Sequence, residues 1–273
     1  MTQVLEVESN QNIAIVRLSR PDKLNALNME AFEALINAGR ALAHDRSLRA
    51  VVLCGAGEHF CAGIDTSVFQ SSGLGGAADS RMAPMDDSVA NFFQRAALVW
   101  RELPVPVIAA LHGVVYGAGL QIAMGADFRI AAPSTRCSVM EVLWGIIPDM
   151  GISATLRSTV RLDLLRELVY TGRIVEANEA QAIGLVSSLN DEPLAAAKAL
   201  AQTIASNSPD AVRAAKLLLN GLLEVPPQQS LRHEALLQSS LIGQANQLEA
   251  VRARLERRAG RFQAATEADV NPD

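Results

Sequence analysis

An α/β fold with a helical C-terminal end is predicted for this 273-residue chain, and two observations carry the prediction. The order strand, glycine loop, helix, strand begins near residue 50 and begins again near residue 107, the kind of repetition that layered α/β architectures show. Beyond about residue 192 only helical periodicity remains.

Taken in order, Val4 to Glu8 and Ile13 to Leu18 read as short strands joined by a Ser9-Asn10-Gln11-Asn12 turn, a hairpin pattern that Arg20-Pro21-Asp22-Lys23 then breaks. Asn28 is a plausible N-cap for a helix whose apolar side carries Met29, Phe32, Leu35, Ile36, Leu42 and Ala43. Gly39 falls on that apolar stripe and weakens the helix there. Ala50 to Cys54 reads as a buried strand that opens into the glycine-punctuated loop from Gly55 to Asp65. Residues 66 to 87 lack periodicity and are rich in Gly, Ser and Ala, so they read as a lid or pocket wall. A helix around Ser88 to Glu102 leads through Pro104 and Pro106 to the strand Val107 to Leu111 and the turn Gly113 to Gly119. Short helices follow near 151–159, 161–170 and 176–182, with a brief strand from Val186 to Leu189. Leu231, Ala235, Ile242, Ala245, Leu248, Val251 and Leu255 form one long apolar stripe that would pack in the assembly. The expected division is a catalytic core over 1–191, a helical region over 192–262 and a disordered tail over 263–273.

Composition narrows the function. A hydrophobic content of 49% is ample for a sizeable core. No apolar run approaches the roughly 18 residues of a membrane span, and Met1-Thr2-Gln3-Val4-Leu5-Glu6 lacks the basic and apolar regions of an export signal. A cytoplasmic protein with no membrane partner is expected. Cys54, Cys61 and Cys137 are too few and scattered for a disulfide framework or a zinc site, so no metal is expected. The net charge of −5 does not favour a nucleic acid partner. The cluster Arg252, Arg254, Arg257, Arg258 and Arg261 is interrupted by Glu249 and Glu256 and reads as a solvated helix face.

The chemistry concentrates in two stretches. Glu141 stands inside the apolar run Val139-Met140-Glu141-Val142-Leu143-Trp144-Gly145-Ile146-Ile147, where desolvation disfavours a carboxylate's charged form and prepares it to move protons. In Gly113 to Gln121 a strand ends in glycines and a helix begins, exposing backbone N–H groups that stabilise developing negative charge. A buried acid or base beside such a site points to enolate chemistry. Plainer readings stand beside these: Glu141 paired with Arg136 or Arg157, Asp149 as an N-cap, and Gln121 as a packing residue. Ile122 stands where a dinucleotide fingerprint needs its third glycine. Neither Cys61 with His59 or His112, nor Ser80 or Ser88, has the spacing of a nucleophilic dyad or triad.

Ser19 to Asn28, Phe60 to Asp65, Gly113 to Gln121, Glu141 to Gly151, and Thr171-Gly172-Arg173 with Ala180, Ile183, Gly184, Leu185 and Val186 together resemble the crotonase superfamily of enoyl-CoA hydratases and isomerases, in order from about residue 4 to 260. The resemblance implies repeated ββα units with a C-terminal helical region, assembled as a homotrimer or a hexamer. It implies an acyl-CoA thioester substrate, with coenzyme A as part of that substrate and no permanently bound cofactor. The thioester carbonyl would lie on the N–H groups of Ile64 and Ala118, and the CoA along Lys23, Leu24 and Ala26 with Ala62 and Asp65 nearby, Gln121 being a further substrate-binding residue. Hydratases of this family carry one glutamate at the position of Glu141 and a second at that of Gln121, an amide that can hold a water but cannot take its proton. Asp149 matches an aspartate of the dienoyl-CoA isomerases and of chlorobenzoyl-CoA dehalogenase. Double-bond isomerisation with Glu141 and Asp149 as catalytic residues is therefore the expected reaction; the alternatives are a 2-enoyl-CoA hydratase of fatty-acid β-oxidation and an inert acyl-CoA-binding member.

Overall fold

Two residues in left-handed backbone, Gln11 and Asn12, close the N-terminal hairpin, which pairs β1 (Leu5–Asn10) antiparallel to β2 (Ile13–Leu18). Such a tight two-residue turn follows the natural twist of the strands, and it extends β1 two residues beyond the expected Glu8. The computed structural model describes residues 3–70, 80–85, 88–156, 159–222 and 225–266. Much of the expected lid, 71–79 and 86–87, lies outside the described residues, as do Arg157 and the tail from 267.

From β2 onward the main sheet is parallel. β3 (Ala50–Gly55), β4 (Val107–Leu111), β6 (Phe128–Ala131) and β9 (Ser188–Leu189) continue it in the order β1-β2-β3-β4-β6-β9. A smaller sheet takes β5 (Val114–Tyr116), β7 (Arg136–Ser138) and β8 (Val175–Glu176) in the order β5-β7-β8. The chain passes from β4 to β5 through His112 and Gly113. Gly113 has φ +58°, and a Cβ there would stand 2.2 Å from the Glu58 carbonyl oxygen, so only glycine makes this corner. The repeated unit expected from the sequence is thus a main-sheet strand, a step into the second sheet, and a helix.

Burial on both faces explains why the central strands read as unbroken apolar runs. Val51, Leu53, Val107, Ala109 and Leu111 face the larger core, with Phe32, Leu35 and Ile36 of α1 (Met29–Ala43) and Phe93, Ala97 and Trp100 of α3 (Phe92–Glu102), which follows the short α2 (Ser67–Gln70). Ala50, Val52, Cys54, Ile108 and Ala110 face the other way, against Ala197 and Ala201 of α8 (Pro193–Ala205). α8, the first helix after the expected boundary at residue 191, therefore completes the core. Along the chain α4 (Ala118–Met124) follows β5, α5 (Ile152–Thr155) and α6 (Leu162–Thr171) follow β7, and α7 (Ala177–Ala182) follows β8.

Asn28 caps α1 as expected, accepting from Ala31 N at 2.9 Å. Gly39 has a packing reason: a Cβ there would sit 2.4 Å from Cγ2 of Val99 on α3. Gly39→Ala is accordingly expected to destabilise the fold by about 1–3 kcal/mol despite alanine's better helix propensity. A thermal melt checks this, and an unchanged or raised Tm contradicts it.

α9 (Pro209–Gly221) is anchored by buried Lys216, whose Nζ donates to the Val105 carbonyl at 2.9 Å and to Asp127 at 2.8 Å. The long stripe expected further on is divided between α10 (Pro227–Leu241) and α11 (Ala245–Leu255), because the chain turns at Gly243 with φ +81°. Leu231, Ile242, Leu248, Val251 and Leu255 remain exposed. The start of the supposed tail is ordered instead: Ala265 is buried, and Thr266 N donates to Asp210 Oδ1 at 2.8 Å. No described helix is long and apolar enough to cross a membrane.

Candidate active site

Three segments that are distant in sequence are laced into one wall by backbone hydrogen bonds. Ala62 N donates to the Leu24 carbonyl, Leu27 N to that of Gly63, and Asp65 N to that of Leu27. On the far side Cys61 N donates to the Val114 carbonyl and Tyr116 N to that of Cys61. Because Ile64 is the bridged residue of the parallel pair Leu27–Ile64, its own N–H points away from Leu27. It donates to no described residue.

Side chains that the sequence reading passed over hold this wall. Asn25 is buried in left-handed backbone; its Oδ1 accepts from Arg20 N at 2.8 Å, and its Nδ2 donates to the carbonyls of Ala56 at 2.8 Å and His59 at 2.7 Å. Arg20 donates to the Ala26 carbonyl and pairs with Asp65 at 2.9 Å. Asp65 also accepts from Ser67 Oγ at 2.8 Å. Its carboxyl is held below the ordinary range by these Ser67 and Arg20 contacts, which outweigh the opposing effect of burial. Cys61 is no nucleophile: burial pushes its thiol up to about 12.

The second N–H comes from the start of α4. Gly117, with φ +51° and ψ −121°, turns the chain so that Ala118 becomes the first helical residue. Its N–H lacks an intrahelical acceptor, as at every helix start, and meets no described partner. A Cβ built on Gly63 would lie 3.8 Å from Ala118 N. Ile64 and Ala118, whose N–H groups meet no described acceptor, line one cavity.

Glu141 opens a 3-10 turn, Glu141–Trp144, and is 6% exposed. Its apolar sequence neighbours do not bury it. Val142, Leu143, Trp144 and Ile147 are themselves exposed, since successive residues of so tight a turn point in different directions. Glu141 instead lies against Gly117 and receives Gln121 Nε2 on its Oε1 at 2.6 Å. Its Oε2 is buried with no hydrogen-bond partner. Burial pushes the carboxyl above its ordinary value, the charge of Asp149 adds to the rise, and the Gln121 bond opposes it. Neither arginine reading is supported: Arg136 is exposed, Arg157 lies outside the described residues, and no described arginine pairs with Glu141. Asp149 is half-buried with its carboxyl raised by burial, and it is no N-cap, because α5 starts from Gly151 without a side-chain cap.

These groups surround a cavity of about 290 Å³. Of the expected residues, Lys23, Ala26, Ala62, Ile64, Asp65, Ala118 and Glu141 line it. Leu24, Gln121 and Asp149 are not among its lining residues: Leu24 gives a backbone carbonyl to the wall, Gln121 bonds Glu141, and Asp149 is half-buried. Trp144 and Ile146 also line the cavity; they were legible only as part of the apolar run. No group of metal-ligating side chains occurs among the described residues. Two free N–H donors and a buried carboxyl raised above its ordinary value, lining one cavity, can hold a polarised carbonyl and remove a proton from the carbon beside it.

Comparisons with known proteins agree with this arrangement. The family model described as enoyl-CoA hydratase/isomerase matches residues 8–265. The protein named probable enoyl-CoA hydratase echA8 of Mycobacterium leprae is 34% identical over 94% of this chain and 96% of its own length. The mitochondrial Delta(3,5)-Delta(2,4)-dienoyl-CoA isomerase of Mus musculus is 31% identical over 93% of this chain and 80% of its own. The crystal structure of enoyl-CoA hydratase from Bacillus anthracis superposes with a TM-score of 0.84 at 30% identity, covering 96% of this chain and all of that one (100%). The motifs, the doubled sheet with its ββα units and these relatives agree, and the chain belongs to the enoyl-CoA hydratase/isomerase family of the crotonase superfamily.

Proposed function

We propose that this enzyme moves a carbon–carbon double bond within an acyl-CoA thioester, from Δ3 to Δ2 or from Δ3,5 to Δ2,4. The observation that carries the proposal is a buried carboxylate lining the cavity, Glu141, held by an amide, Gln121, where hydration would want a second carboxylate. The thioester oxygen accepts from Ile64 and Ala118 N–H. Glu141 takes a C2 proton, and the electron pair spreads into a dienolate whose negative charge rests on that oxygen. A proton returned at the far end of the conjugated system completes the shift without adding water. Asp149 is the proposed donor of that proton; burial shifts its carboxyl upward, toward the protonated form a donor needs. Lys23, Leu24 and Ala26 would run beside the CoA, with Ala62 and Asp65 shaping the wall it enters.

Turnover of 3-enoyl-, 3,5-dienoyl- and 2-enoyl-CoA with product identification tests the proposal. Conjugated isomers are expected from the first two, and Asp149→Asn is expected to suppress isomerisation at least about tenfold while C2 exchange persists. Rapid hydration of 2-enoyl-CoA, untouched by Asp149→Asn, would instead establish the hydratase reading, and binding without turnover the inert one.

The exposed Leu231, Leu248, Val251 and Leu255 of α10 and α11, with Ile242 between them, support assembly of several copies. A homotrimer or hexamer in the cytoplasm is the corresponding proposal. Light scattering is expected to give three or six times the 29.1 kDa chain mass, and a clean monomer at micromolar concentration contradicts it.

A further inference from the structure

Gln121 makes two hydrogen bonds, and the first fixes the second. Its Oε1 accepts from Met150 N at 2.8 Å, and a backbone N–H can only donate. The amide therefore cannot flip, and Nε2 must face Glu141, where it donates at 2.6 Å. A flipped amide would set its oxygen against the carboxylate and leave Met150 N–H without an acceptor inside the protein. Gln121 is 2% exposed, so no solvent competes for either bond. Its backbone N donates to the Gly117 carbonyl, one turn from the Ala118 N–H. One helical turn thus carries both an oxyanion donor and the amide that holds the base.

We infer that Gln121 is a positioning residue which holds Oε1 of Glu141 and ties the base to the 145–151 segment through Met150. This rests on the proposed role of Glu141 as base and deepens it. Oε2 is buried without a hydrogen-bond partner, so the Gln121 bond on Oε1 is the side-chain hydrogen bond that steadies this carboxylate. The same bond favours the ionised form. Asp149 is the titratable neighbour whose charge bears on Glu141; Lys23 and Asp65 line the same cavity, and Asp65 is held by Arg20. Because Ile146 lines the cavity and Met150 follows on the same segment, a substrate that shifts this segment also shifts the hydrogen bond that sets the base.

The experiment is an infrared titration of the Glu141 carboxyl in the full-length protein, with Glu141→Gln as the blank in each background, alongside the pH profile of kcat/KM. Gln121→Leu removes both bonds and is expected to move the protonation midpoint and the acid limb of the profile up by about one pH unit. Gln121→Glu keeps an acceptor for Met150 N–H but sets two carboxylates together, so the pair is expected to hold a shared proton to higher pH than Glu141 does in the native protein. A filler of space would lower activity without moving either midpoint. Unchanged midpoints in both variants overturn the inference; should Gln121→Leu fail to fold, an unchanged midpoint in Gln121→Glu overturns it alone. The infrared reading needs no substrate, so it stands or falls separately from the identity of the reaction.

Discussion

Glu141→Gln is expected to lower turnover by about a thousandfold or more while leaving acyl-CoA affinity within about tenfold. The substitution keeps the side chain's shape and an oxygen to accept from Gln121 Nε2, but it removes the atom that takes the proton. The same variant carries a stability prediction. Burial raises the folded-state pKa of Glu141, so the folded protein binds this proton more tightly than the unfolded chain does. That contribution is fully present below the unfolded-state value and is lost as pH rises through the folded-state value. Above that value the native protein has lost it and holds a desolvated charge, the ionised form in which a base works. Glu141→Gln is expected to match or exceed the native Tm at pH 7, with the difference shrinking as pH falls. Activity and melting measured on one preparation check both halves, and a variant that is both inactive and clearly less stable at pH 7 contradicts the assignment of a functional, rather than structural, acid.

Ala118→Pro is expected to cost about a hundredfold or more in kcat with little loss of stability. Proline removes the N–H aimed at the thioester oxygen, and loss of one such donor has effects of that order. The position tolerates it, because Ala118 is the first residue of α4, where the N–H has no helical acceptor and proline's fixed φ suits the helix. Ala118→Gly keeps the N–H and serves as the control, with a loss expected to stay within about tenfold. Steady-state kinetics beside thermal melts decide the matter: similar losses for both variants would mean that the donor is elsewhere.

What the sequence revealed of this site follows a physical line. Asn28 was readable as a cap because a cap acts on a donor three residues away. Gly117 and Ala118 were readable because a glycine turn before a helix is a local event. Asn25 and Arg20 were not, since their partners Ala56, His59 and Asp65 come near only after β2 and β3 pair. Glu141 was singled out correctly as a buried acid but for an incomplete reason: the run after it is exposed, and Gly117 and Gln121 supply the enclosure. Gln121 looked passive because an amide has little chemistry of its own, and its constraint comes from Met150, fixed by the fold. Periodicity also joined α10 and α11 into one stripe, because it counts apolar residues and does not register that Gly243 lets the chain turn between them.

The central claim is that Ile64, Ala118 and Glu141 together make an enolate of a CoA thioester. Exchange of the C2 protons of a saturated acyl-CoA in deuterated water measures that step alone, free of any double-bond movement or water addition. The native protein is expected to exchange them, Glu141→Gln to slow exchange by about a thousandfold, and Ala118→Pro by about a hundredfold. Exchange that persists undiminished in Glu141→Gln, or turnover by the native protein without any C2 exchange, would contradict the account.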